Sequence, residues 1–234
     1  MSVSQVIILA GGLGTRLRSS VPDLPKCMAP VAGMPFLHYV IKYCEEQGIG
    51  KFIFSLGYKH ELIADWLSGR LPGGSYSLSI EEEPLGTGGA IRKACGQAGI
   101  DTVFVLNGDT YFGADLGELS KFHKAVAADC TLCLKPMKNF ERYGVVEINK
   151  DGSILDFREK QHYEQGLING GVYALSAPAF LREALDEKFS FEKDYLESYC
   201  GKRAFYGLKQ EAYFIDIGIP EDYERAQREM RGLQ

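Results

Sequence analysis

The chain of 234 residues has no apolar run near the roughly 18 residues of a membrane-spanning helix. It has no basic segment followed by an apolar one near its start, so we expect no secretory leader. Lysine and arginine number 26 against 31 acidic residues, and the net charge of -5 disfavours binding to nucleic acids or anionic membranes. No linker rich in Pro, Ser or Gly divides the chain, which predicts one domain over residues 1–234.

Paired cysteine motifs are scarce among the six cysteines. Cys130 and Cys133 have the Cys-x-x-Cys spacing, but a zinc site would need a second such pair, and none exists. Because the two residues fall in a strand-like segment, we interpret them as buried structural thiols. We therefore expect a reduced, cytoplasmic protein.

Apolar and amphipathic segments alternate in the first half of the chain. This order predicts an α/β fold with a mainly parallel sheet flanked by helices and with ligands at the carboxyl ends of its strands. The predicted strands span residues 6–10, 52–56, 76–81 and 102–106, and the helices 36–47, 61–67, 89–98 and 116–127. In the less regular second half, predicted strands span 131–134, 145–148, 154–157, 172–175, 204–208 and 213–217, and helices 178–185, 191–199 and 220–231.

A glycine-rich segment follows the first predicted strand and reads Leu-Ala-Gly-Gly-Leu-Gly-Thr-Arg-Leu over residues 9–17. Such a loop can bring backbone N–H groups against an anion, and the flanking Arg16 and Lys26 can oppose the charge of phosphoryl or nucleotidyl transfer. It is neither a Walker A loop nor a Gly-x-Gly-x-x-Gly motif. We predict a nucleoside triphosphate site here, with a flexible surface turn as the alternative. Its binding residues are Leu9, Ala10, Gly11, Gly12, Gly14 and Thr15.

Two acidic residues interrupt apolar strands. Asp109 stands at the carboxyl end of the apolar run 103–106, after Asn107 and Gly108, and Asp216 lies inside the predicted strand 213–217. A carboxylate beside a triphosphate needs a divalent cation between them, and an unpaired buried carboxylate is costly. We predict that Asp109 and Asp216 hold Mg²⁺. The alternatives are an Asx turn at Asp109 and a helix cap at Asp216.

Two segments of the second half are candidates for binding a phosphorylated sugar. Lys160 could hold a second phosphate and Glu159 could accept hydrogen bonds from sugar hydroxyls, although both could simply form a charged strand end. Asn169 and Gly170 precede a predicted strand and could let the backbone approach a polar ligand, although a simple turn has the same composition.

The segment 81–89 is a candidate for binding a nucleobase. Its glycines could let a flat base pack against the backbone, and its acids could pair with donors on the edge of the base. A solvated strand end is the alternative. The candidate residues are Glu81, Gly86 and Thr87, and we add Asn107 to the nucleotide site.

Taken together, these segments resemble the sugar-1-phosphate nucleotidyltransferase family. The family carries Leu-x-Gly-Gly-x-Gly-Thr-Arg-Leu followed by Pro-Lys, matched here by residues 9–17 and 25–26. It also carries Gly-Asp, Glu-Lys, Asn-x-Gly and Asp-x-Gly, in the order found here. The resemblance implies a Rossmann-like mixed α/β fold, the nucleotide-diphospho-sugar transferase fold. Its nucleotide-binding part would span about 1–130 and its sugar-binding part about 131–215.

The reaction implied by this resemblance is attack of a sugar phosphate on the α-phosphorus of a nucleoside triphosphate, with departure of pyrophosphate. Arg16 would stabilise the leaving group and Lys26 would bridge the attacking and α-phosphates. Asp109 would act with Mg²⁺. The remaining roles fall to Lys160 for the sugar phosphate and to Glu159, Asn169, Gly170 and the backbone near Gly144 for sugar hydroxyls.

Four stretches, at 84–90, 142–146, 166–173 and 213–223, resemble the D-glycero-D-manno-heptose 1-phosphate guanylyltransferases, which make GDP-heptose for surface polysaccharide or S-layer glycans. Glu81 suits guanine because N1-H and the 2-amino group are donors. Cys27 departs from the family, which usually has Pro there. Mannose 1-phosphate as acceptor, or UTP or dTTP with another sugar 1-phosphate, are alternatives, as is a non-catalytic nucleotide-sensing subunit. A homodimer is left open.

Overall fold

The computed structural model of the chain describes residues 3–12, 17 and 21–233. Arg16, Gly14 and Thr15, three of the predicted site residues, lie outside the described residues. The strands are β1 (Gln5–Leu9), β2 (Pro30–Val31), β3 (Met34–Pro35), β4 (Lys51–Leu56), β5 (Tyr76–Ile80), β6 (Thr102–Asn107), β7 (Thr110–Phe112), β8 (Cys130–Phe140), β9 (Val145–Ile148), β10 (Ile154–Arg158), β11 (Tyr163–Ser176), β12 (Phe205–Lys209) and β13 (Phe214–Asp216).

The helices lie between these strands, mostly as the alternation of the first half predicts. Short 3-10 helices cover Lys26–Met28 and Met230–Leu233, and a π-helix covers Phe191–Glu197. The α-helices are α1 (Phe36–Glu46), α2 (His60–Arg70), α3 (Gly86–Cys95), α4 (Leu116–Ala125), α5 (Ala177–Leu181) and α6 (Pro220–Glu229).

One mixed sheet of nine strands organises the described part of the chain. Its centre is parallel, in the order β6–β1–β4–β5. Strand β11 runs antiparallel beside β6 and also pairs antiparallel with β8, which pairs in parallel with β12. The β9–β10 hairpin extends the sheet beyond the first half of β11. The predicted α/β class is therefore confirmed.

Alternating side chains of the central strands enter two apolar cores, one on each face of the sheet. On β1, Ile7 faces one core and Ile8 the other, and both are fully buried. The same alternation separates Ile53 from Phe54 on the neighbouring β4. Such continuous apolar strands are typical of parallel sheets covered on both faces.

The second half departs most from the predictions. The predicted strand 172–175 is the last part of β11, which begins at Tyr163 and has a bulge between Asn169 and Tyr173. The predicted strand 213–217 lies in a separate small sheet, where β13 pairs with β7, which was not predicted. Periodicity misses short strands such as β7 because their partners are remote in sequence.

Cys130 and Cys133 confirm the structural interpretation of the Cys-x-x-Cys spacing. Both lie in β8 and are fully buried, but they enter different cores on opposite faces of the sheet. Burial raises the pKa of both thiols. Side chains on opposite faces cannot share a metal ion or form a disulfide without rearrangement of the strand.

The last helix is fastened to a segment near the beginning of the chain. The Tyr223 hydroxyl and the Gln227 amide of α6 each donate to the carbonyl of Pro30, both at 2.6 Å. The Gln227 Oε1 in turn accepts from the Ala32 N–H at 2.8 Å. None of the helices in the described residues is both long and apolar enough to cross a membrane.

A buried histidine in α4 should make the fold sensitive to acid. His123 Nδ1 lies 2.9 Å from the Thr131 hydroxyl, and burial lowers the pKa of His123 to about 4. One pKa unit corresponds to about 1.4 kcal/mol, so protonation of this ring costs the fold about 3 kcal/mol. Since the folded-state pKa of His123 is depressed, the free energy of unfolding keeps this contribution above pH 6.5. The contribution is lost as the pH falls towards 4.

We expect His123→Gln to flatten the decline of unfolding free energy between pH 6.5 and 4, measured by urea denaturation at several pH values. The control is His162→Gln, at an exposed position. Equal pH dependence of the His123 variant and the wild type would contradict the expectation.

Candidate active site

Lys26 joins two carboxylates from remote parts of the chain. Its ammonium lies 2.6 Å from Asp109 Oδ2 and 3.2 Å from Asp216 Oδ1. The Lys26 side chain is only 11% exposed, against 39% for Asp109 and 28% for Asp216. The structure thus brings together three of the predicted site residues, with the lysine neutralising the acids that the sequence assigns to a metal.

Two glycines allow the acidic side chains to converge. Gly108 directly precedes Asp109, and a Cβ there would lie 2.7 Å from the Leu9 carbonyl oxygen. Gly218 donates its N–H to Asp216 Oδ1 at 2.8 Å, and a Cβ there would lie 3.1 Å from the Lys26 ammonium. The Asp216 carboxylate forms this turn rather than capping α6, whose N-cap is Ile219 and has no side-chain hydrogen bond.

A cavity of about 780 Å³ opens at the carboxyl ends of β1, β4 and β6. Such a volume suits a nucleotide. Its walls carry apolar residues such as Leu9 and Ile80 as well as the charged pair Lys26–Asp109. Ten residues of the predicted catalytic and nucleotide sets line it: Leu9, Ala10, Gly11, Gly12, Lys26, Glu81, Gly86, Thr87, Asn107 and Asp109.

A second cavity, of about 390 Å³, lies beside the first. Asn107, Glu192 and Gly218 line both cavities, so the two adjoin along these residues. Four predicted residues of the metal and sugar-phosphate sets line the second cavity: Lys160, Asn169, Gly170 and Asp216.

Asn169 and Gly170 owe their place to the bulge in β11. The Asn169 side chain accepts from the Gly171 N–H at 3.0 Å and donates to the Tyr173 hydroxyl at 2.9 Å. Gly171 has φ of +71°, which favours glycine, and a Cβ there would lie 2.7 Å from the Asn107 amide nitrogen. The bulge therefore packs the end of β6 against β11 where the two cavities meet.

Two predicted sugar-binding residues line neither cavity. Glu159 follows the end of β10 at Arg158 and is exposed. Gly144 is needed for packing, since a Cβ there would lie 2.5 Å from the Arg158 carbonyl oxygen. Its neighbours Arg142 and Tyr143 reach the second cavity instead.

The glycines of segment 81–89 do not all face a ligand. A Cβ at Gly88 would overlap the ring of Phe189, and one at Gly89 would overlap the carbonyl of Glu187. Residues 187–189 therefore cover the Cβ side of these two glycines, and neither glycine lines the first cavity. Gly86, with φ of +73°, still lines the first cavity.

Sequence reasoning missed Arg142 as a cation of the second cavity, although it lies in one of the stretches that carry the family resemblance. Arg142 donates to the Tyr143 hydroxyl at 3.0 Å and pairs with the buried carboxylate of Asp222 in α6. Burial raises the pKa of Tyr143 to about 12, with a further contribution from Asp216, so its hydroxyl stays neutral. The contacts with Tyr143 and Asp222 therefore hold the Arg142 guanidinium in place.

Asp109 and Asp216 fit a divalent cation by the chemistry of their donors. Both carboxylates reach one ammonium, so both can also reach one small cation in that region. No group of three or more His, Cys, Asp or Glu side chains suited to a metal occurs among the described residues. A cation held here would complete its shell with phosphate oxygens and water, as Mg²⁺ does in nucleotide enzymes.

Cys27, the departure from the family pattern, lines the first cavity but is 3% exposed. Burial, followed by the charge of Asp109, raises the pKa of its thiol to about 12. A thiol that stays protonated is a poor nucleophile, so Cys27 acts as a packing residue beside Lys26.

Comparison with known proteins assigns this chain to a class of enzymes. The family model for nucleotidyl transferases matches residues 5–232, and the chain belongs to that family. The family resemblance of the sequence motifs is therefore confirmed.

The similarity extends to proteins of one narrower group. The D-glycero-α-D-manno-heptose 1-phosphate guanylyltransferase of Aneurinibacillus thermoaerophilus is 52% identical over 227 residues, which cover 97% of this chain and 98% of that protein. The Campylobacter jejuni enzyme of the same name is 44% identical over 94% of this chain and 96% of its own length. The crystal structure of HddC from Yersinia pseudotuberculosis complexed with GMP-PN superposes with a TM-score of 0.86, at 39% identity, over 97% of this chain and 100% of that one.

We expect Gly89→Ala to lower the free energy of unfolding by about 1 to 3 kcal/mol, because the methyl group overlaps the backbone of residue 187. Gly69→Ala, in α2 with open space around the new methyl, should raise it by up to about 1 kcal/mol through helix propensity. Urea denaturation measures both changes. Equal changes in the free energy of unfolding for the two substitutions would show that residues 187–189 do not pack closely against α3 at Gly89.

Proposed function

We propose that this protein transfers GMP from GTP to D-glycero-α-D-manno-heptose 1-phosphate, giving GDP-heptose and pyrophosphate. The observation that carries the proposal is the junction of a nucleotide-sized cavity and a smaller polar cavity beside Lys26, Asp109 and Asp216. Guanylyltransferases that act on this heptose phosphate share 52% and 44% of the sequence, which supports both substrates.

The first cavity would hold GTP, with its base towards Glu81. The Glu81 carboxylate already accepts from the Leu85 N–H at 2.9 Å and lies 3.4 Å from the Ser55 hydroxyl, so its orientation is fixed. A carboxylate can accept hydrogen bonds from two donors of guanine, whereas uracil and thymine offer only one. Gly11 lies against Glu81, and a Cβ there would come within 3.2 Å of its oxygen.

Transfer would occur where the cavities meet. The heptose phosphate oxygen attacks the α-phosphorus in line with the departing pyrophosphate, and no covalent enzyme intermediate is needed. Lys26 would bind the phosphates that become joined, and Arg16 the departing pyrophosphate. Asp109 and Asp216 would hold Mg²⁺, which supplies neutralisation of phosphate charge when bound.

The second cavity would hold the heptose phosphate. Lys160 is the cation predicted for its phosphate, and Arg142 is a second cation that lines the same cavity. Asn169 and the backbone of Gly170 offer donors and acceptors for sugar hydroxyls. Glu159 and the backbone near Gly144 stay predicted contacts of the sugar hydroxyls, and both residues lie outside the lining of the second cavity.

We place this reaction in the cytoplasm, where reduced thiols persist, and its product in the supply of activated heptose for surface polysaccharide or S-layer glycans. All six cysteines are free thiols in the structure. Buried unpaired thiols are the usual state in a reducing compartment.

Asp109→Asn should lower turnover at least about a hundredfold, as loss of a group that organises transition-state charge does. The neutral side chain can still accept from Lys26, so the thermal unfolding midpoint should change little. Pyrophosphate release measures turnover, and electron paramagnetic resonance of Mn²⁺ measures cation binding. Unchanged turnover and unchanged Mn²⁺ affinity would remove Asp109 from the metal site.

The proposal as a whole is tested by a matrix of nucleoside triphosphates against sugar 1-phosphates, followed by pyrophosphate release with Mg²⁺ present. We expect GTP with the heptose phosphate to give the highest kcat/KM and chelation by EDTA to abolish turnover. Mannose 1-phosphate serves as the control acceptor that is compared with the heptose phosphate. Release with UTP or dTTP alone would overturn the guanylyl assignment, and no release with any pair would favour a nucleotide-sensing role.

A further inference from the structure

Glu192 occupies a position between the two cavities that no sequence motif marks. It lies in the π-helix over Phe191–Glu197 and lines both cavities. Single π-helical turns are frequent at functional sites, because the altered register redirects side chains. In the described part of the chain, Glu192 is the one charged side chain that the two cavities have in common.

One oxygen of the Glu192 carboxylate is held by two hydroxyl groups. Glu192 Oε2 accepts from the Thr87 hydroxyl at 2.7 Å and from the Ser190 hydroxyl at 3.1 Å. The Thr87 oxygen itself accepts from the Phe191 N–H at 2.8 Å, so the contact joins α3 to the start of the π-helix. Among the described residues Oε1 has no hydrogen-bond donor. An ionised carboxylate accepts only, so Oε1 suits a donor on a ligand.

The surroundings of Glu192 select the kind of donor. Tyr173 packs edge-on against Phe191 with ring centroids 5.2 Å apart, and its hydroxyl accepts from Asn169. Tyr173 and Asn169 line the second cavity together with Glu192. A negative charge repels phosphate oxygens, whereas neutral hydroxyl groups can approach it and donate. This end of the junction therefore favours the hydroxyl face of a sugar.

We propose that Glu192 is a specificity-determining residue that accepts a hydrogen bond from a hydroxyl of a substrate sugar, and that Thr87 is its positioning residue. The inference rests on the proposed function, since it requires a sugar phosphate and a nucleotide in adjoining cavities. The donor is either a hydroxyl of the acceptor sugar or a ribose hydroxyl of the nucleotide.

Glu192→Gln tests the proposal while keeping an oxygen that can accept from Thr87 and Ser190. We expect KM for one sugar-bearing substrate to rise about tenfold, which corresponds to the loss of a hydrogen bond to a charged group. The thermal unfolding midpoint and kcat should stay close to wild type. The control is Glu197→Gln, in the same π-helix but exposed and outside both cavities, and it should leave both KM values unchanged.

The two sources of the hydroxyl give different results. A rise in KM for the sugar 1-phosphate alone assigns the contact to the acceptor sugar. A rise in KM for the nucleotide, with lost discrimination against its 2′-deoxy or 3′-deoxy analogue, assigns it to ribose. KM values within twofold of wild type for both substrates in Glu192→Gln and Glu192→Ala would overturn the proposal.

Substitutions of Thr87 distinguish a role in positioning Glu192 from a role in stabilising the fold. Thr87→Val removes the donor to Glu192 and should raise the same KM, whereas Thr87→Ser keeps the hydroxyl and should restore it. A lowered unfolding midpoint with no KM change would reduce the contact to a structural one and overturn the positioning role. The assays use whichever substrate pair the matrix identifies, and calorimetric binding of each substrate repeats the comparison without turnover. Failure of the guanylyl or heptose assignment is thereby distinguished from failure at Glu192.

Discussion

The ion pairs of Lys26 with Asp109 and Asp216 are the interaction on which the site depends. They link positions that are 83 and 190 residues apart along the chain, at 2.6 and 3.2 Å. Two carboxylates that converge in a partly buried place repel each other unless a cation lies between them. Lys26 supplies that charge, so the two acids can lie close together in a partly buried place.

The sheet supplies the geometry that makes this convergence possible. Adjacent parallel strands end at one edge, which places the end of β1 next to the turn after β6. Strand β13 then pairs with β7 so that Asp216 stands opposite Thr110, the residue after Asp109. The long strand β11 closes the other side with its bulge. Two cavities adjoin because these three features meet.

Local patterns predicted the fold class, most elements of the first half and the three charged residues Lys26, Asp109 and Asp216. Each of these has a signal in neighbouring residues, either an apolar run or a glycine turn. Glu192 had none, because its partner Thr87 lies 105 positions away and its π-helix has no distinct periodicity. A glycine at position 89 indicates close approach, but the local sequence does not identify the neighbour on its Cβ side, which is the backbone of Glu187.

The fastening of α6 also has a consequence for biosynthesis. Lys26 and Asp109 leave the ribosome early, and domains generally begin to fold from the amino-terminal side during synthesis. Asp216 and the α6 residues that hold Pro30 and Arg142 are made much later. A nascent chain can therefore assemble the parallel sheet well before Asp216 is available to pair with Lys26. The contacts of Asp216 and α6 with the earlier part of the chain should therefore form in a late step, after most of the hydrophobic core has formed.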